Sequence, residues 1–185
     1  MEQTSLLPLT PTSRPEYRPI THRTVEFSDC GRYRYRLTRE WDDTRPPATF
    51  VMLNPSTADA DRDDPTVRKC VRYAQRWDCG SLVVVNLYAY RATNPNDLPA
   101  DEPTRIGPAG DGWLTQAALD ALESGGPLVA AWGARATEQR VADVLTLPGM
   151  DRLQCLAVTS AGMPRHPLYV RDAAPLVDWT PAGAR

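Results

Sequence analysis

Lysine is almost absent from this chain: Lys69 stands alone beside 20 arginines. With 21 basic residues against 23 acidic ones, the net charge of −2 gives no support to a protein that grips nucleic acid by bulk electrostatics. Local basic patches are compatible with that balance. Only two histidines occur, His22 and His166, and the four cysteines (Cys30, Cys70, Cys79, Cys155) fall at no C-x-x-C spacing. A structural zinc or an iron–sulfur cluster is therefore not expected, nor is any other cofactor. Scattered thiols without a secretory signal read as a reduced, cytoplasmic protein. No apolar run approaches the roughly 20 residues of a membrane span, so no membrane partner is expected. Also missing are G-x-x-x-x-G-K-[ST], G-x-G-x-x-G and G-x-S-x-G, which removes the main support for P-loop, dinucleotide-binding and hydrolase-elbow chemistry.

What is present reads as one soluble domain. A chain of 185 residues can bury one sizeable core, and 42% hydrophobic with 24% charged residues is ordinary globular composition. Residues 1–21, rich in Pro, Ser and Thr, are expected to form a flexible tail or a strap, and 22–185 a single α/β domain. Alternation over 24–28 and 33–37 around Asp29-Cys30-Gly31-Arg32 predicts a β-hairpin, with Val25, Phe27, Tyr33, Tyr35 and Leu37 facing the body and the arginines facing water.

Apolar runs at 48–53, 82–85, 128–132 and 153–158 predict four buried strands. Between the first two, Val67, Cys70, Val71, Ala74 and Trp77 recur at helical spacing behind an acidic cap and Pro65, with Gly80 expected just past the helix end. Residues 113–123 and 134–146 predict two more helices, and a short helix near 172–178 finishes the chain. The expected fold is a three-layer α/β/α sandwich around a four-stranded, mainly parallel sheet, with the hairpin added at the N-terminal side.

Each predicted strand stops abruptly in polar residues. A strand–helix–strand unit over 49–86 brings Asn54 and Asn86 to one carboxyl edge, where open α/β sheets bind ligands. Trp132-Gly133 and His166 end later strands, and the long segment 87–112 carries Tyr88, Tyr90 and Arg91 past the same edge. An Asn side chain offers a donor and an acceptor together and can pair with an amide-like heterocycle edge; tyrosines can stack on a ring. His166 can donate to charge developing on a leaving group. Each has a plainer reading: Asn before Pro is a common turn former, Asn86 a strand cap, a loop His solvated, and the tyrosines core edge. Their fall on one side of the sheet is what favours a site for a planar nitrogen heterocycle. Asp59, Asp61, Asp63 and Asp64 fail the EF-hand register, since Cys70 stands where a bidentate Glu is required, and read better as caps and helix-dipole partners.

Five stretches in order, MLNPSTAD, DDPTVRKC, LVVVNLYAYRATNP, VAAWG and GMPRHPLYV, resemble over roughly residues 25–179 the bacterial and phage proteins of domain of unknown function family 1643, which brings no activity with it. More distantly, Asn-Pro after the first strand, a V-V-V-N strand end, a strand ending Trp-Gly and a final His-Pro loop resemble the uracil-DNA glycosylase superfamily. That resemblance implies cleavage of the N-glycosidic bond of a base, ordinary or modified, in DNA or a nucleotide. Carried over by position, Asn54 orients the water and His166 stabilises the leaving anion. Asn86 reads the base, Tyr88 stacks, Leu168 is the wedge candidate and Arg165 belongs to a positive rim; Pro55, Ser56 and Arg91 complete the expected lining. The expected partner is a nucleobase, nucleotide or DNA. The alternatives are a nucleotide-binding module without catalysis, and metal-assisted phosphoryl chemistry on Ser56, Thr57 and the Asp59–Asp64 carboxylates.

Overall fold

A computed structural model describes residues 17–56 and 62–181. The strands are β1 (His22–Phe27), β2 (Arg34–Glu40), β3 (Pro47–Met52), β4 (Ser81–Asn86), β5 (Leu128–Ala130), β6 (Gln154–Cys155) and β7 (Val177–Asp178); the helices are α1 (Pro65–Arg76), α2 (Glu102–Ile106), α3 (Gly110–Ser124) and α4 (Glu138–Leu145). The α/β class stands, but the expected four-stranded sheet with an appended hairpin does not. All seven strands join one sheet in the order β1-β2-β4-β3-β5-β6-β7. β3 pairs in parallel with β4 and β5, and β5 in parallel with β6. The hairpin enters through antiparallel pairing of β2 with β4, and β7 closes the other side antiparallel to β6.

Alternation along the central strands divides the core in two. Phe50, Met52, Leu82 and Val84 face α1, while Val51, Val83, Val85 and Trp132 face α3 and α4. β4 is buried at every position, which is why it reads as an unbroken β-branched run. The start of α1 is built as expected: the Asp64 side chain accepts from the Val67 N–H at 2.8 Å and Pro65 opens the first turn. Its end is not. Asp78, at φ 61°, takes the left-handed position assigned to Gly80. Gly80 answers a different need, because a Cβ there would lie 1.8 Å from the Asp42 carbonyl oxygen.

Three further expectations are corrected. The helix over 134–146 begins only at Glu138, where Thr137 caps it by accepting from Arg140 N–H at 3.1 Å. Residues near 172–178 form β7 rather than a helix: Pro175 has no N–H to give a helical ladder, and pairing with β6 satisfies the sheet edge instead. The hairpin arginines do not all face water. Arg34 and Arg39 are buried, whereas Phe27 is exposed. Of the expected N-terminal segment, residues 17–21 lie along the body, where Arg18 bonds Asp42 at 3.1 Å; residues 1–16 lie outside the described residues. Among the described residues no helix is long and apolar enough to cross a membrane.

Candidate functional site

The carboxyl ends of β3, β4 and β5 and the segment after β6 surround a cavity of about 640 Å³. Parallel register fixes the geometry, since Met52 pairs with Asn86 and Ala131 N–H donates to the Val51 carbonyl at 2.8 Å. The last strand end is completed by a small hairpin. Val158 bridges Pro164, Arg165 N–H returns to the Ala157 carbonyl at 2.8 Å, and His166 is thereby brought to the cavity wall. Gly133 packs there at φ 77°, a left-handed conformation that suits glycine, with its hypothetical Cβ 3.4 Å from that of His166.

Of the residues expected from sequence, Asn54, Ser56, Asn86, Arg165 and His166 line this one cavity. Asn86 is 4% exposed, and neither its Nδ2 nor its Oδ1 has a hydrogen-bond partner among the described residues. The Nε1 of Trp132, on the neighbouring wall, is buried and unmatched as well. Leaving such groups unmet costs roughly 1–3 kcal/mol each. Asn54 is half-committed. Its Nδ2 donates to the carbonyls of Pro55 (3.1 Å) and Ala92 (2.8 Å), tying β3's end to the segment beyond β4, and its Oδ1 is left with no donor among the described residues.

His166 accepts from the Leu168 N–H at Nδ1 over 3.4 Å, which puts the proton of its neutral ring on Nε2. Burial holds the imidazole below its ordinary 6.5, and the nearby Asp64 carboxylate opposes that shift. The unfolded chain therefore takes up this proton at a higher pH than the folded one. The stability it contributes is complete above about 6.5 and is lost as pH falls through the folded value. His166→Gln is expected to flatten the fall in melting temperature on acidification from about pH 7.5 to 5; parallel profiles for the two proteins would count against a half-buried, neutral ring.

Four expected residues lie off this wall. Tyr88 is in the core, its hydroxyl bonded to Glu102 Oε1 (3.1 Å) and Thr137 Oγ1 (3.3 Å), and borders a neighbouring hollow of about 460 Å³ instead. Pro55 is buried, and its carbonyl accepts from Ala92 N–H at 3.0 Å. Arg91 lies over the Phe27 ring at 4.8 Å and donates to the Gly31 carbonyl at 3.1 Å, holding the hairpin turn. Leu168 is exposed beside the mouth, which Tyr169 lines.

Sequence reasoning missed the wall arginines Arg34 and Arg135. Arg34, 3% exposed, reaches the cavity through a β-bulge: Glu26 pairs with Arg36 but Phe27 with Arg34, so Tyr35 is the extra residue. Tyr35 stacks on Trp113 at 6.1 Å, and the alternation of β2 is reversed beyond it. Burial pulls the Arg34 guanidinium down to about 10 against the attraction of Asp64, so it stays charged at neutral pH. Asp64, expected as a helix cap or, in the metal-assisted alternative, as one of the Asp59–Asp64 carboxylates, lines the cavity, and its Oδ2 accepts from Ser56 Oγ at 2.8 Å.

The cation-loop carboxylates are otherwise engaged. Asp63 pairs with Arg39 at 2.7 Å and Arg23 at 3.0 Å, while Thr57, Asp59 and Asp61 lie outside the described residues. Among the described residues no three His, Cys, Asp or Glu side chains are grouped to hold a metal ion.

A search of curated proteins finds none that matches the chain. A family match extends from Arg34, at the bulge, to Leu168, just past the cavity histidine, and takes in every lining residue of the cavity except Tyr169. The chain belongs to the family described as Protein of unknown function (DUF1643), which matches residues 34–168.

Proposed function

We propose that this protein binds a nucleobase against Asn86 and cleaves its N-glycosidic bond. The observation that carries the reading is the Asn86 amide, buried on a cavity wall with donor and acceptor both unmet. A base edge that presents one acceptor beside one donor answers that amide, and the Trp132 Nε1–H supplies a further donor. The polar groups around it suit the reaction. Asn54 Oδ1 is available to accept from a water, and the His166 Nε2–H to donate to the base as it leaves. Water adds to the anomeric carbon as the C–N bond breaks; the electron pair leaves with the base, which gains a proton as the water loses one. The α/β sheet with its polar strand ends is in keeping with a glycosylase-like sandwich.

Released base is the readout, measured by chromatography after incubation with nucleosides, nucleotides and oligonucleotides carrying ordinary, deaminated or alkylated bases. His166→Ala is expected to slow release by about 100- to 1,000-fold, the usual loss on removing one preorganised donor. Turnover by that variant at the parent rate would eliminate the assignment.

A second reading, binding without catalysis, draws on Asn54, whose Nδ2 serves as a structural tie. It predicts base-dependent thermal stabilisation with no product.

A further inference from the structure

Positive charge is distributed unevenly over the described residues. Arg18, Arg36, Arg45 and Arg140 are paired with carboxylates. The cavity is different: Arg34, Arg135 and Arg165 line it against the single carboxylate of Asp64. Arg135 and Arg165 are exposed, unlike the buried Arg34. Among the described residues the Arg135 side chain bonds only the Asn96 amide oxygen, at 2.6 Å, and that of Arg165 makes no bond. Arg135 closes the short turn after β5, and Arg165 follows the Val158–Pro164 bridge beyond β6, the strand paired with β5; both line the same cavity.

We infer that the guest is a mononucleotide, its base against Asn86 and Trp132 and its phosphate monoester at the cavity mouth, held by Arg135 and Arg165. This rests on reading the inner wall as a base-recognising surface. A phosphate monoester carries between one and two negative charges near neutral pH, and guanidinium forks bind such oxygens in pairs. A cavity of about 640 Å³ lies within the range of small-ligand sites. A polynucleotide would ask for more. Each phosphate neutralised needs its own cation along a track, whereas the chain as a whole is acidic, and Thr93, Pro95, Asn96, Leu168 and Tyr169 flank the two arginines around the mouth.

The test is calorimetry on the full chain at low salt, with the common nucleosides, their 5′-monophosphates and a short single-stranded oligonucleotide. The preferred nucleoside is expected to gain about 10- to 100-fold in affinity on phosphorylation, as charge-assisted bonds allow. In the double variant Arg135→Gln with Arg165→Gln, whose two sites are exposed, the ratio of monophosphate to nucleoside affinity is expected to collapse towards one; a melting curve checks that it folds. Equal affinity for nucleoside and monophosphate would overturn the inference and leave base recognition standing. So would an undiminished ratio in the double variant, or tighter binding of the oligonucleotide. If no nucleoside or nucleotide binds, both readings fall together.

Discussion

Asn86→Leu is expected to make the folded protein more stable, by about 1–3 kcal/mol, while abolishing its binding of a base. The side chain is 4% exposed and neither amide atom is matched within the described residues, so the native state carries the desolvation cost of a donor and an acceptor. Leucine matches asparagine in branching and number of side-chain heavy atoms, its bulkier methyl groups have the cavity to extend into, and on the α1 side Phe50, Met52, Leu82 and Val84 already form an apolar layer at neighbouring positions of β3 and β4. The substitution trades an unmet polar group for apolar burial. Binding is expected to weaken by at least about 100-fold, because a guest's donor and acceptor are then left facing hydrocarbon. Opposite signs for stability and affinity distinguish a recognition residue from a strand cap. A cap would lose stability on replacement and leave ligand affinity largely alone. Urea denaturation supplies the first number and calorimetry the second; a variant destabilised by 1 kcal/mol or more would return Asn86 to a structural role.

How much of this was legible in the sequence depended on whether a residue's role was set by its own strand. β3, β4 and the face of α1 announced themselves because burial on both sides leaves long apolar runs, and helical burial leaves a 3.6-residue period. Asn54, Asn86 and His166 were found because each breaks such a run or follows a Pro-rich stop at a strand end, and all three line the cavity. Arg34 could not be found that way. Its direction depends on one extra residue in β2, Tyr35, and the alternation of neither strand marks where the pairing with β1 slips. Tyr88 failed for the converse reason: two residues beyond Asn86 it sits where a strand side chain would share that residue's face, but the chain has left the sheet and the ring turns into the core. β7 was missed because two residues, Val177 and Asp178, carry no periodicity and form a strand only when β6 offers them an edge.

Arg140 presents the same difficulty, and its replacement is expected to have the second large effect. On a helix pattern it is merely one more charged residue in α4, yet it is 1% exposed. Its Nε and Nη2 both donate to the carbonyl of Leu87, at 3.0 and 2.8 Å, and Nη2 also pairs with Asp111 at the start of α3. Leu87 is the residue after Asn86, so a guanidinium on one helix, anchored to a second, grips the backbone where β4 delivers its amide to the cavity. Arg140→Met keeps most of the packing volume and removes every donor. The Leu87 carbonyl is then buried and unmet, although Asp111, partly exposed, can return to water. The cost is expected to be about 3 kcal/mol, near the upper range for hydrogen bonds to a charged group. Arg140→Lys is expected to recover only part of it, because an ammonium lacks the planar fork that meets one carbonyl with two N–H groups. If the clamp also aims Asn86, both variants bind the base more weakly than the parent at temperatures well below their melting points. A loss of stability with unchanged affinity would leave Arg140 as a structural tie that has no part in positioning the site.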